Sequence, residues 1–133
     1  MVIQFSSPAN RACYFSLMDQ LLGRGIHLFN CRRFFACHEV WEAAWTPERG
    51  PRRLFLQSLI HCAVAFYHNQ RGNPVGAGRQ LRKGLRKLAA SLPSREGIDT
   101  ARLHADCLIA LESIDSGAAF EYPRIHLSPP AGH

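Results

Sequence analysis

Apolar positions along the chain recur at helical spacing, and no stretch alternates as a half-buried strand would. The first run, "SSPANRACYFSLMDQLLGRGIHLFN", opens on the helix-start pair Ser7-Pro8 and repeats Phe15, Met18, Leu22 and Ile26. A second helix is predicted over Cys31–Trp45, stopped by a turn at Pro47, Gly50 and Pro51. A third runs from Arg52 to Gln70. The break "RGNP" follows, with Gly72 and Asn73 suited to left-handed C-terminal positions and Pro74 to the first turn of the next helix. That fourth helix carries Ala77, Leu81, Leu85, Leu88 and Leu92 on one face and a basic patch, Arg79, Arg82, Lys83, Arg86 and Lys87, mostly on the other. Asp99 or Thr100 caps a fifth helix whose buried stripe is Leu103, Cys107, Ala110, Leu111 and Ile114. The proline-broken stretch 116–133 reads as an extended or partly disordered tail, with Phe120, Tyr122 and Ile125 laid across the helices.

The expected fold is all-α: a compact bundle of about five to six helices, built from helical hairpins around a central third helix. A faint repeat of about 40 residues aligns Gly25, Cys37, Trp41 and Ala44 with Ala65, Ala77, Leu81 and Gly84, the small-large-small rhythm of helical hairpins. Two units cannot form a solenoid, and the third helix is apolar on nearly every side, so a bundle is the better solution. With 133 residues, 47% of them hydrophobic, the chain is one domain over 1–133, with an ordered core of about 8–115. "LFLQSLIHCAVAFYH" is too short and too polar to span a membrane. "MVIQFSSPANR" lacks the pattern of a secretory leader. Five cysteines without a C-x-x-C pair argue against a disulfide framework, and Cys37, Cys62 and Cys107 fall on apolar faces. A cytoplasmic location is the expectation.

Charge changes the picture in one region. The formal net charge is +6, and no Asp or Glu occurs between Arg49 and Arg95. One-sided charge attracts polyanions or acidic partners, although the same pattern also suits an ordinary solvated face.

The candidate chemistry lies in "CHEVWEAAW", residues 37–45. At about 100° per residue, Trp41, Phe34, Trp45, His38, Glu42 and Phe35 share an arc of about 120°, with His38 in its middle and Glu39 at the edge. On the third helix Val64, Gln57, His68, His61, Leu54, Ala65 and Ser58 share another arc. Packing the two arcs together would bury a cluster of His38, Glu42, Gln57, His61 and His68. Such a network either fixes helix register or forms a functional pocket. A buried Glu42 would make Glu42→Ala cost about 2–4 kcal/mol. The metal version uses His38, Glu42 and His68 as weak candidate ligands. Position 42 is Glu rather than His, so the H-E-x-x-H protease pattern is broken.

Over about Leu22 to Leu88, the stretch "FFACHEVWEAAW…FLQSLIHCAVAFYHNQRGNPVGA" resembles the family catalogued as domain of unknown function 309, small helical proteins of bacteria and archaea with an H-E-x-W-E motif. Phe35, His38, Glu39, Trp41, Glu42, Trp45, Phe55, Leu56, Gln57, His68, Gly72, Asn73 and Ala77 carry the likeness. The resemblance implies an all-helical bundle and no established activity. Ser58 and His61 stand where that pattern more often has Gly and Gln, which favours His38, Glu42, Gln57 and His68 as site residues.

Two functions follow. The first is a non-enzymatic binding module, with Gln57, His61, Trp41, Trp45 and Asn73 as binding candidates and a protein or nucleic acid docking on the fourth helix. The alternative is a hydrolase-like enzyme using His38, Glu39, Glu42 and His68 as acid, base or metal site. No cofactor is expected, a divalent metal being the one alternative, and a homodimer is compatible with the pattern.

Overall fold

Helix starts and stops follow local chemistry closely. The computed structural model describes residues 8–129, with side chains from Asp19 onward, so the expectations for the Phe15 and Met18 side chains and for the last four residues lie outside what is described. Among those described, five α-helices succeed one another: α1 (Pro8–Asn30), α2 (Phe34–Trp45), α3 (Pro51–Gln70), α4 (Pro74–Leu88) and α5 (Thr100–Ser116), and a 3-10 turn (Ala89–Ser91) extends α4. The second helix starts three residues later than its apolar pattern suggests. Arg32 takes a left-handed φ of 62°, and Arg33 N donates to Leu28 O at 2.9 Å, closing α1 before α2 can begin. Gly72, at φ 74°, is the left-handed residue of the next junction. Asn73 is not left-handed; its Oδ1 accepts from Gly76 N at 3.0 Å and caps α4, with Pro74 in the first turn. Asp99 caps α5 through Arg102 N, which leaves Thr100 to be buried and to donate to Ser91 O at 2.6 Å.

The third helix is central, burying Phe55, Leu56, Ser58, Leu59, Ile60, Cys62, Ala63, Ala65 and Phe66. Helices α2 and α4 flank it, α1 packs on α2, and α5 on α4. All eight positions of the faint repeat are buried. In the first hairpin Trp41 lies against Gly25, where a Cβ would run into the indole, and its Nε1 donates to Leu22 O at 3.2 Å. In the second, Gly84 brings α4 against Ser58, His61 and Cys62 of α3, each of which a Cβ at Gly84 would meet at 3.1 Å. Cys37, Cys62 and Cys107 are core residues. Burial pushes the Cys37 thiol far above its ordinary range, and a hydrogen bond to Cys62 together with burial does so for Cys107.

After Gly117 the chain runs extended across the helices. Asn30 holds it with two bonds to the Ile125 backbone, at 2.7 and 3.0 Å, and Tyr122 donates to Asn69 Oδ1 at 2.7 Å. Phe120 and Tyr122 join Phe29, Phe34 and Phe66 in one aromatic cluster. Among the described residues no helix is long and apolar enough to cross a membrane.

The notch at Gly25 makes a direct prediction. Gly25→Ala should cost about 3 kcal/mol in urea unfolding, because the indole cannot retreat from the core without losing its bond to Leu22. Gly23→Ala, where nothing lies within 4 Å of a new Cβ, should instead stabilise by about 0.5–1 kcal/mol.

Candidate functional site

The buried face of α2 is Phe34, Cys37, Trp41 and Ala44. Its centre lies about 80° from His38 around the helix, so the arc proposed from the sequence is turned toward its Trp41 edge. The cause is the small pair Cys37 and Ala44, which lets α1 approach closely; Cys37 Sγ sits 3.2 Å from Gly25 O. Trp41, expected at a binding face, is thereby fully buried, and Asn73 serves as a helix cap.

The sealed His/Glu/Gln cluster expected between α2 and α3 does not form. Glu42 is 52% exposed and lies 3.6 Å from His38 Nε2, while the His38 ring is 19% exposed. His38 Nδ1 donates to Phe35 O at 2.7 Å, a bond within its own helix. Phe35, itself half exposed, stacks on both His38 and Tyr67. Tyr67 in turn lies 6.2 Å from His68, centroid to centroid. Among the described residues, no three His, Cys, Asp or Glu side chains converge to hold a metal ion, and His38, Glu42 and His68 are no exception. Glu39 is exposed.

What the polar arc of α3 forms instead is the floor of an open groove. A depression of about 240 Å³ is lined by Glu42 and Trp45 of α2, Gln57, Ile60, His61 and Val64 of α3, and Gln80 of α4. Trp45 stands in its wall with Arg53 stacked 3.8 Å over the ring, and its buried Nε1 has no acceptor among the described residues. His61 is held from both sides: Nδ1 is 2.8 Å from Gln80 Oε1 and Nε2 is 2.9 Å from Lys87 Nζ. An ammonium can only donate, so Nε2 presents its lone pair, Nδ1 carries the hydrogen and Gln80 accepts it. Burial, followed by the charges of Lys87, Lys83 and Arg86, pulls the His61 imidazole below its ordinary range, against the hydrogen bond it donates to Gln80.

Gln80 escaped the sequence reading. The signal for it is the pair Gln80 and Lys87, seven residues apart at the border of the apolar stripe of α4, with Gly84 between them. Arg79, Lys83, Arg86 and Lys87 form one stripe, and among the described residues none of them pairs with a carboxylate. Arg82 is different, since it is bound to Asp115 of α5.

Two measurements check this placement. Glu42→Ala and Glu39→Ala should both stay within about 0.5 kcal/mol of wild type, because an exposed i,i+4 pair contributes little. The acid limb of stability should depend on His61. Its folded value is lowered, so below about pH 6.5 the unfolded chain gains a proton that the folded chain resists, and stability falls with pH. His61→Gln should flatten that loss between about pH 7 and about pH 5 in urea melts.

Comparison with known proteins agrees with the sequence resemblance. Residues 22–80 match the family model described as Domain of unknown function (DUF309). The uncharacterized protein YpuF of Bacillus subtilis (strain 168) is 32% identical over 93 residues, covering 68% of this chain and 53% of YpuF. The chain thus spans about half the length of that relative. Over a segment that contains the H-E-x-W-E stretch, all of α3 and α4 as far as Gln80, the chain belongs to the DUF309 family.

Proposed function

We propose that the protein is a non-enzymatic binding module whose α4 face docks on an extended polyanion. The observation that carries this reading is the unpaired stripe of Arg79, Lys83, Arg86 and Lys87. The cations that do meet a carboxylate lie off this stripe: Arg52 meets Glu48 at 2.7 Å and Glu96 at 3.0 Å, Arg82 meets Asp115, Arg95 meets Glu96, and Arg102 meets Asp106. Along α4 the field is strong enough to act on its own members. Partial burial, then the charges of Arg86 and Lys83, pull Lys87 below the usual lysine range. A row of phosphates relieves that repulsion and releases its own counterions. The groove beside the stripe, with Trp45, Gln57 and Gln80, supplies an apolar and amide-lined wall for whatever the phosphates carry. The hydrolase-like alternative needs His68 to act with His38 and Glu42, and among the described residues these three do not gather into a metal-holding group.

Fluorescence anisotropy with a labelled single-stranded RNA tests the proposal. Four phosphate contacts predict a log–log salt slope of about −3, a loss of about fifty-fold between about 50 and about 200 mM salt. Lys83→Glu with Arg86→Glu should weaken binding at least about tenfold and flatten that slope. Indifference to RNA and heparin at low salt overturns the nucleic-acid reading; retention of an acidic protein alone would move the partner to that class.

A further inference from the structure

Of the sixteen Lys and Arg residues in the chain, only Lys83 and Lys87 are lysine. Arginine stays charged at any working pH, whereas a lysine can lose its proton and become a nucleophile. One of the two lysines, Lys87, lies 2.9 Å from an imidazole nitrogen. The Nδ1 hydrogen of His61 is committed to Gln80, so the Nε2 lone pair is aimed at the Lys87 ammonium and can receive its proton. The glycine at position 84 makes this geometry possible, since a Cβ there would press on the His61 Cβ at 3.1 Å.

The surroundings favour the neutral amine. The charged and titratable groups around Lys87 are Lys83 and Arg86 on its own helix, His61 on α3 and Glu42 on the far wall of the groove on α2. Glu42 is not within ion-pair distance of it, and neither is any other carboxylate among the described residues. Lys87 remains partly exposed, so a reagent can reach it. Its partner His61 opens onto the groove of about 240 Å³, whose Ile60, Val64 and Trp45 side chains offer an apolar seat for a short acyl chain.

We propose that Lys87 is a covalent acyl acceptor, with His61 as its base, for an acyl thioester on a phosphate-bearing carrier. In the step, the Lys87 ammonium gives a proton to His61 Nε2, and the freed amine attacks the thioester carbonyl. A C–N bond forms, the C–S bond breaks, and the thiolate leaves as a thiol by taking the proton from the imidazolium. The amine's second proton goes to water, and no oxidant or reductant is involved. Lys83 and Arg86 beside the amine, with Arg79 two turns away on the same face, suit the phosphates of the carrier. The step shares these cations with the polyanion reading but does not rest on it, because it is read by mass and not by retention.

The test exposes the full chain to acetyl-coenzyme A and follows acetylation of each lysine by peptide mass spectrometry. Lys83, one turn away on the same helix and similarly exposed, is the internal control. Lys87 should be acetylated about tenfold faster than Lys83, and His61→Gln should bring the two rates within about twofold while the helical circular dichroism stays unchanged. A thioester of N-acetylcysteamine, which has no phosphate, should keep the Lys87 preference at a lower overall rate. Equal labelling of the two lysines in the wild type overturns the proposal, as does an unchanged ratio in a folded His61→Gln protein. Loss of the preference with the phosphate-free thioester also overturns it, since carrier docking and not the base would then select Lys87. Should His61→Gln fail to fold, the wild-type ratio decides alone: it must fall toward unity above about pH 10, where Lys83 also becomes an amine.

Discussion

An indole seated on a missing side chain sets the geometry of this protein. Trp41 occupies the space that a Cβ at Gly25 would need, and its ring nitrogen is satisfied by a carbonyl of the same helix, Leu22 O. A buried tryptophan N–H without an acceptor is costly, so the position along α1 and the rotation of α2 are chosen together. Once Trp41 is placed, Phe34 falls into the aromatic cluster with Phe29 and Phe66, and Cys37 and Ala44 meet α1 at close range. The same rotation carries His38 to the rim and Glu42 into solvent.

The second hairpin repeats the device with different consequences. Leu81 occupies the place of Trp41 in the repeat and Gly84 that of Ala44, so α4 can lie even closer to α3 than a residue with a side chain would allow. Leucine asks for no polar partner. The hydrogen-bonding groups that border the stripe, Gln80 and Lys87, are therefore free to engage α3, and His61 is the side chain that meets both. A close helix–helix contact made for packing thus fixes an imidazole tautomer at the edge of a groove.

The breaks at Pro51, Gly72 and Pro74 were legible because each rests on one residue's backbone chemistry, and the α5 cap was legible to within Asp99 or Thr100, of which the structure selects Asp99. The crossing of Phe120, Tyr122 and Ile125 over the bundle was legible because three large apolar residues in a proline-broken tail have nowhere else to go. The polar arc of α3 was also recognisable, as an anomaly on an apolar helix. Its partner was misassigned because periodicity gives angular order on α2 but not which edge of an aromatic arc faces inward. Trp41 and Phe34 stand at one edge and Phe35 at the other, and their hydrophobicities do not separate them. The discriminating signal was the small residues: Cys37 and Ala44 lie beyond the Trp41 edge and Gly25 lies opposite, a pairing that becomes visible only when the two helices are considered together. Gln80 was lost for a related reason, since one amide in a basic amphipathic helix reads as surface until Gly84, one turn on, shows how near α3 comes.

Charge placement follows the same logic of neighbours. The ten carboxylates are few enough for their positions to matter, and Glu48, Glu96, Asp106 and Asp115 each sit where they neutralise an arginine near a turn or between helices. Helix α4 receives one of these contacts, at Arg82, on the side that faces α5. Its other side borders the groove at Gln80 and receives none among the described residues. Leaving cations at 79, 83, 86 and 87 adjacent and unpaired opposes folding through mutual repulsion, and in Lys87 and His61 partial burial, with those charges behind it, lowers both pKa values. A single Glu at an exposed α4 position would relieve it at no packing cost. Four cations thus stand together on one face of α4 without a carboxylate among the described residues, while Arg82, the α4 cation that has one, is turned to α5.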